Sequence, residues 1–204
     1  MPVRISTAAF VVFLISILSI GSSSVFAQEA PDRLTLEDIH RDGTYNAAAF
    51  RGGRWANEGP VVRYVDRDAS GASHLVSYNL ENGERTRLID GTTLFAPDVG
   101  RPIQIHDYAY SKSGDRVLIF TDAERLWRYP TQGFYYVYDL TSGELLPVSD
   151  REKGFQMFAK FDPLGERVAF VRNRNLYVVD LESMTEHALT TDGEPGTVIN
   201  GTSD

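Results

Sequence analysis

From residue 61 onward, hydrophobic and polar positions alternate in short runs. β-branched and aromatic residues fill these runs, and Gly, Asn, Asp and Ser separate them. Such runs with turn residues between them are typical of successive antiparallel hairpins. In one run, Val76, Tyr78 and Leu80 occupy alternate positions and predict the buried face of a strand. The pattern predicts an all-β fold.

The runs belong to a repeat. Residues 110–117 and 161–168 share an aromatic residue, three turn residues, Gly, an acidic residue, Arg and Val, at an offset of 51. The glycine of each segment suits a hairpin turn with positive φ. The run Tyr-Val-Tyr-Asp-Leu at 136–140 returns as Tyr-Val-Val-Asp-Leu at 177–181, at an offset of 41.

Each repeat unit is predicted to contain four strands. After the hairpin come a third strand, at 135–140 or 176–181, and a more polar fourth strand, near 145–148 or 186–190. A unit of four strands and about 45 residues has the size of one propeller blade. Over residues 61–204 we therefore expect an incomplete β-propeller of about four blades of four antiparallel strands, with Tyr, Phe and Val packed between the blades.

The two offsets differ, so the earlier unit carries ten extra residues between its second and third strands. They are residues 122–131, and the later unit makes the same connection with the tight turn 172–175. Ordering a longer connection is entropically unfavourable, and this one is not expected to add strands to the blade. Insertions in repeats usually lie on the binding face. We therefore expect 122–131 to belong to a binding face.

The insertion places an arginine among aromatic residues. Trp127, Arg128 and Tyr129 are adjacent, and a second aromatic cluster follows closely. A guanidinium flanked by flat side chains keeps its charge, is held by stacking, and presents fixed donors to a carbonyl or carboxylate. Arg128 is therefore the candidate binding residue, with Trp127 and Tyr129 beside it.

A single arginine beside aromatic residues also fits a structural role. In that alternative, Arg128 pairs with Asp122 or Glu124 inside its own loop, and the aromatic side chains cap the blade. The residues alone leave both alternatives open.

The first 27 residues have the features of a secretory signal peptide. Arg4 supplies the positively charged N-terminal region, and residues 8–20 are almost wholly apolar. Val25-Phe26-Ala27 then provides small residues at the cleavage positions, with cleavage expected near Ala27. We therefore expect an exported protein, periplasmic or extracellular; the alternative is an uncleaved N-terminal membrane anchor. Residues 28–60 are a lead-in in which Thr35 can cap a short helical turn.

Net charge, cysteine content and histidine spacing argue against nucleic-acid binding, disulfides and a metal site. The formal net charge is -8, and charges of both signs are scattered along the chain, which leaves no basic patch for nucleic acid. The chain has no cysteine, so its stability depends on burial rather than on disulfides. His74, His106 and His187 each stand without a second ligand at metal spacing, so we predict no metal and no other cofactor.

Three segments together resemble one family. They are 118–129, which contains the Trp-Arg pair, 136–140, and the Asn-Gly-Thr-Ser-Asp run at 200–204. They resemble the N-terminal propeller of the dipeptidyl peptidase IV family of serine exopeptidases, within the prolyl oligopeptidase superfamily. The Trp-Arg pair and the final run are specific, whereas the blade repeats alone are not. The resemblance extends from about Leu34 to the last residue.

In that family a propeller covers an α/β-hydrolase domain and admits short peptides to a cavity between them. The resemblance implies that Arg128 holds a backbone carbonyl of the substrate near its N-terminal end. It also implies two glutamates, in a Trp-x-Tyr-Glu-Glu motif directly after the Asn-Gly-x-x-Asp element, that hold the free α-ammonium and restrict cleavage to dipeptides. Burying an ammonium is costly unless carboxylates oppose it.

The sequence ends at Asp204, where that motif would begin, and it contains no Gly-x-Ser-x-Gly elbow. We therefore expect a truncated propeller with no catalytic residues, no hydrolase domain and no peptidase activity of its own. In the full-length parent its partners would be peptide substrate, the missing hydrolase domain and, as an open alternative, a second copy in a homodimer. The competing hypothesis is a non-enzymatic periplasmic propeller whose aromatic loop binds a protein or a glycan.

Overall fold

The computed structural model describes residues 35–41, 52–57, 59–126, 128 and 130–202. The chain divides into two compact parts, Met1–Ala49 and Phe50–Asp204. In the first part, the described residues form one short helix, α1 (Leu36–His40), which the exposed Thr35 precedes. The predicted signal peptide, residues 1–27, lies outside the described residues.

The described residues of the second part form β-strands joined by turns. The strands are β1 (Arg54–Trp55), β2 (Val61–Arg67), β3 (Ser73–Asn79), β4 (Arg85–Ile89), β5 (Phe95–Ala96), β6 (Arg101–Pro102), β7 (Asp107–Tyr110), β8 (Arg116–Arg125), β9 (Pro130–Asp139), β10 (Leu145–Pro147), β11 (Gln156–Phe161), β12 (Arg167–Arg172), β13 (Asn175–Asp180) and β14 (Thr185–Ala188). A 3₁₀ turn at Arg151–Lys153 precedes β11.

The strands form three antiparallel meanders of four strands each. The first meander is β1 to β4, the second is β7 to β10, and the third is β11 to β14. β9 also pairs with β11, through Gln132 opposite Met157 and Gly133 opposite Gln156, so the second and third meanders share one eight-stranded sheet. β5 and β6 form a separate two-stranded sheet.

The hairpin turns form where the repeat predicts them. Gly114 and Gly165 have φ angles of 82° and 75°, a region that glycine enters without strain. Their N–H groups donate to the carbonyls of Ser111 and Asp162 across each turn. The predicted third strands overlap β9 and β13, and the predicted fourth strands overlap β10 and β14. The prediction of four antiparallel strands per repeat unit is confirmed for the second and third meanders.

The number of units differs from the expectation of about four blades, because the described residues contain three meanders. The stretch between β4 and β7 forms only the short β5–β6 pair, and the residues after β14 form turns with one bridge, between Glu194 and Val198. β1 pairs with β2, so the first sheet begins at Arg54, before the expected start at Val61. The all-β class is confirmed, and the blade count of a complete ring stays a prediction.

Two apolar clusters connect the meanders. The first cluster includes Leu75, Ile89, Ile119 and Tyr136, and the second includes Leu118, Val137, Val168 and Phe170. Neighbouring residues on β8 and on β9 enter different clusters, because successive side chains of a strand point to opposite faces. The second meander is therefore apolar on both faces and packs between the other two, as the aromatic and β-branched repeat predicted.

On β3 the predicted buried face is wrong in part. Val76 is buried, but Tyr78 is 36% exposed and Leu80 is 51% exposed. Leu75, on the opposite face, is fully buried, because that face packs against the second meander.

Candidate functional site

The ten-residue insertion lengthens a hairpin. β8 and β9 have ten residues each, whereas the matching strands β12 and β13 have six each. Beyond Thr121 the two strands still pair, with Glu124 opposite Gln132 and Arg125 opposite Pro130. The expectation that the insertion adds nothing to the blade is therefore wrong: it extends two strands of the second meander and carries Arg128 between their ends.

A β-bulge marks the base of this extension. The register of the β8–β9 pair shifts between Thr121 and Glu124, and Asp122 inside the shift has a φ of 45°. A bulge bends the strand and re-aims the residues beyond it, and a non-glycine residue in this conformation needs support from its neighbours. The direction of the extension is therefore set at Asp122.

Two arginines from other elements hold the Asp122 carboxylate. Arg101 of β6 donates from Nη2 to both carboxylate oxygens at 3.0 Å, and Arg151 of the 3₁₀ turn donates from Nη2 to Oδ2 at 2.6 Å. Partial burial raises the pKa of the Asp122 carboxyl, but the hydrogen bonds from Arg101 and Arg151 outweigh it and leave the pKa below its ordinary value. The carboxylate is thus ionised and fixed from two sides.

Arg151 also contacts the second strand of the hairpin. Its guanidinium lies 3.6 Å from the centre of the Phe134 ring and donates from Nη1 to the Tyr136 hydroxyl at 3.1 Å. That hydroxyl donates in turn to Oδ2 of Asp98 at 2.8 Å. A guanidinium stacked on a ring and paired with a carboxylate has few alternative positions. Arg151 therefore links β8 and β9 at the base of the extension.

The structure places the predicted site residues as follows. Arg128 is exposed between the ends of β8 and β9, whereas Trp127 and Tyr129 lie outside the described residues. Nearby Phe134 and Tyr136 are buried and pack in the first cluster. These two aromatic side chains pack in the hydrophobic core, and the arginine that contacts them is Arg151.

Sequence reasoning missed Arg101 and Arg151 as parts of this site. They lie 21 and 29 residues from Asp122, in elements with no repeat or motif that connects them to it. Only the three-dimensional contacts bring the three side chains together.

The Asn-Gly-Thr-Ser-Asp run lies against the hairpin turn of the third meander. The N–H of Asn200 donates to the carbonyl of Arg174 at 3.1 Å, and its side chain donates to Asp192 at 3.0 Å. Gly201 has a φ of 80°, and a side chain there would lie 2.7 Å from Leu176. Ser203 and Asp204 lie outside the described residues. The described part of the run is therefore held in place by the β12–β13 turn.

The described residues contain no group of three or more His, Cys, Asp or Glu side chains that could hold a metal ion. His74 is buried and lies 3.0 Å from Asp68 and 3.2 Å from Asp90. No helix within the described ranges is long and apolar enough to cross a membrane.

Residues 111–204 match the family described as dipeptidyl peptidase IV (DPP IV) N-terminal region. The crystal structure of Porphyromonas gingivalis dipeptidyl peptidase 4 resembles 84% of this chain with a TM-score of 0.67 and 30% sequence identity, over 24% of its own length. Over these residues the chain resembles the N-terminal segment of a dipeptidyl peptidase IV family peptidase.

Two curated relatives match most of the chain. Prolyl endopeptidase FAP from Homo sapiens is 25% identical over 202 residues, which are 98% of this chain and 25% of FAP. Inactive dipeptidyl peptidase 10 from Rattus norvegicus is 25% identical over 176 residues, which are 84% of this chain and 20% of that protein. The chain thus spans about a quarter of the length of the curated relatives that it matches.

The match to the dipeptidyl peptidase IV family covers the elements that carry the site, except β6 with Arg101. Residues 111–204 include the extended β8–β9 hairpin, the 3₁₀ turn and the Asn-Gly-Thr-Ser-Asp run. The resemblance predicted from the sequence is confirmed, and the fold is all-β with propeller-like relatives.

Proposed function

We propose that this chain is the N-terminal propeller part of an exported serine dipeptidyl peptidase, in which it gates and orients the peptide substrate. The observation that carries the proposal is the extended hairpin, which presents the exposed Arg128 beyond a fixed base in a chain that resembles the dipeptidyl peptidase IV family. Peptide removal itself would need the α/β-hydrolase domain of the full-length parent, because this chain has no nucleophile elbow.

In this proposal, Arg128 recognises the peptide main chain. Its guanidinium donates N–H groups to a backbone carbonyl near the substrate N-terminus, and Trp127 and Tyr129 flank the same site. A charge-assisted hydrogen bond is stronger than a neutral one, and a bidentate guanidinium also fixes orientation. The residues that hold the substrate ammonium would follow Asp204 in the parent.

The remaining parts of the proposal concern location and assembly. Residues 1–27 would direct export to the periplasm or the extracellular space, or remain as a membrane anchor. The parent could also assemble as a homodimer, and the chain would complete a larger ring of blades with the segments that follow.

Arg128→Ala should weaken the binding of a short peptide by about tenfold or more, because a hydrogen bond to a charged group contributes about 1.5–3 kcal/mol. The probe is alanyl-prolyl-alanine with a free amino terminus, since the resemblance implies a preference for proline at the second position. The measurement is a titration of the ¹⁵N-labelled chain followed by amide chemical shifts, which detects weak binding.

Arg174→Ala is the matched control. Arg174 is exposed at the corresponding hairpin turn of the third meander, so this variant loses the same charge away from the proposed site. Its peptide affinity should equal that of the wild type. Equal affinities of the wild type and Arg128→Ala would refute the role of Arg128.

The relative named inactive dipeptidyl peptidase 10 supports a second candidate, a non-enzymatic propeller that binds a protein or a glycan. Sequencing the gene beyond the codon for Asp204 separates the two candidates. A Trp-x-Tyr-Glu-Glu motif directly after Asp204 supports the peptidase, whereas a stop codon with no such motif favours the binding protein.

A further inference from the structure

Among its described residues, the extension of the β8–β9 hairpin has two strand pairs beyond the bulge. They are Glu124 with Gln132 and Arg125 with Pro130, and Gln132 donates from Nε2 to Oε2 of Glu124 at 3.3 Å. A short two-stranded ribbon is only marginally stable by itself in water. The direction in which it presents Arg128 must therefore be set where it joins the sheet.

At that junction the two strands approach closely. A side chain at Gly133 would lie 2.7 Å from the carbonyl oxygen of Thr121 and 2.6 Å from the Phe120 ring, so a larger residue cannot occupy this position without displacing its neighbours. Phe120 in turn stacks on Tyr135, with ring centres 4.7 Å apart. Close packing fixes β9 at the junction and leaves β8 to bend at the bulge.

The bend is held by ion pairs and hydrogen bonds of Asp122 and Arg151, together with the stacking of Arg151 on Phe134. The side chains of Asp122 and Arg151 are 25% and 20% exposed, so they lie at the surface of the fold and outside both apolar clusters. Arg151 contacts Asp122 on β8 and both Phe134 and Tyr136 on β9. Arg101 adds a second contact to Asp122 from the β5–β6 sheet. One carboxylate thus ties the bulge to two elements outside the hairpin.

We propose that Asp122 and Arg151 are positioning residues that aim the hairpin extension and so place Arg128 for peptide binding. This inference rests on the proposed function of Arg128. Neither side chain needs to contact the peptide. Loss of either one leaves the apolar clusters intact but releases the bulge, so that the extension samples several directions and Arg128 spends less time in the binding position.

The test uses the whole chain with Trp55→Phe, which leaves Trp127 as its single tryptophan. Acrylamide quenching of Trp127 then reports directly on the segment that joins β8 to β9, independently of any ligand. Asp122→Asn and Arg151→Met should each raise the quenching constant, and Arg151→Lys, which keeps the charge but not the planar stacking group, should raise it less. The double variant should raise the quenching constant by less than the sum of the two single effects, because both substitutions remove the shared contact between Asp122 and Arg151.

Peptide affinity is measured on the same proteins. Asp122→Asn and Arg151→Met should weaken the binding of alanyl-prolyl-alanine by about tenfold, since a small misplacement of a binding group is costly. Arg128→Ala should weaken binding as well, and because Arg128 is adjacent to Trp127, this variant is compared by peptide affinity alone. Asp139→Asn is the matched control, because Asp139 pairs with Arg116 at the opposite end of the same hairpin. It should change neither readout.

Each outcome has one meaning. Unchanged quenching in Asp122→Asn and Arg151→Met would overturn the inference, and so would raised quenching with wild-type affinity. Raised quenching in a chain that binds no peptide in any form would support the aiming role of Asp122 and Arg151 but overturn the proposed function of Arg128.

Discussion

Gly91→Ala should abolish stable folding of this chain or lower its free energy of unfolding by about 3 kcal/mol or more. A Cβ atom at residue 91 would lie 1.8 Å from the carbonyl oxygen of Ser73 and 2.7 Å from its carbonyl carbon. Ser73 is fully buried, so the backbone of β3 would have to move. The measurement is urea unfolding followed by far-ultraviolet circular dichroism.

The same substitution would also disturb a buried polar contact. The N–H of Gly91 donates to Nδ1 of His74 at 3.2 Å, and His74 is 1% exposed. A buried ring nitrogen that loses its partner adds an unfavourable desolvation term. Both effects act on the first meander, which packs on the second through the first apolar cluster.

Gly71→Ala is the control for this prediction. Gly71 has a φ of 85° and no heavy atom within 4 Å of a built Cβ, so alanine there should cost only the conformational strain of about 1–2 kcal/mol. Equal losses in the two variants would show that the close approach of Gly91 to Ser73 does not limit stability.

Sequence patterns identify glycines that are needed for a local turn, but not glycines such as Gly91 that are needed for a contact with a distant strand. Gly114 and Gly165 were predicted as turn glycines because their role is local: the residues beside them and the repeat specify a hairpin with positive φ. The close contact of Gly91 with Ser73 joins residues that are distant along the chain. Nothing in the neighbouring residues indicates it, so this requirement appears only in the folded chain.

The insertion shows the same limit at the candidate site. Two unequal repeat offsets placed it at 122–131, and that position is correct. Its strand structure was not predicted, because residues 122–125 are polar or small and lack the alternation of a half-buried strand. The extension is held by Arg101 and Arg151, two distant residues, rather than by a pattern of its own.

The described residues form three meanders where about four units were expected, for a related reason. Length divided by the size of a blade assumes that every residue belongs to a strand or a tight turn. Here the stretch between β4 and β7 is a short link, and Gly193 and Gly201 allow the residues after β14 to pack against the β12–β13 hairpin. A side chain at Gly193 would lie 2.4 Å from the carbonyl oxygen of Arg174.

The second large effect concerns the ion pair that closes the third meander. The Arg172 side chain is 6% exposed and donates from Nη2 to Oε1 of Glu186 at 2.6 Å. It also donates to the Ser149 hydroxyl at 2.7 Å and lies 4.1 Å from the centre of the Tyr177 ring. These contacts connect β12, β13 and β14 with the segment before the 3₁₀ turn.

Glu186→Gln should lower the free energy of unfolding by about 3–5 kcal/mol, because it leaves the buried guanidinium of Arg172 without its counter-charge. Glu182→Gln is the control, since Glu182 is exposed and the variant has the same net charge. The control should unfold at the wild-type urea concentration. A loss of stability in Glu182→Gln equal to that in Glu186→Gln would attribute the effect to net charge instead of the buried pair.

The same pair predicts how stability depends on pH. The hydrogen bond from Arg172 lowers the pKa of the Glu186 carboxyl from 4.5 to about 2, against the opposing effect of burial. Because the folded-state pKa lies below the unfolded-state value, the stabilisation is fully present above about pH 4.5 and is lost as the pH falls toward 2. The difference in unfolding free energy between wild type and Glu186→Gln should therefore shrink over this window, while contributions from other carboxylates cancel. A difference that stays constant from pH 6 to pH 2 would contradict the assignment of this titration to Glu186.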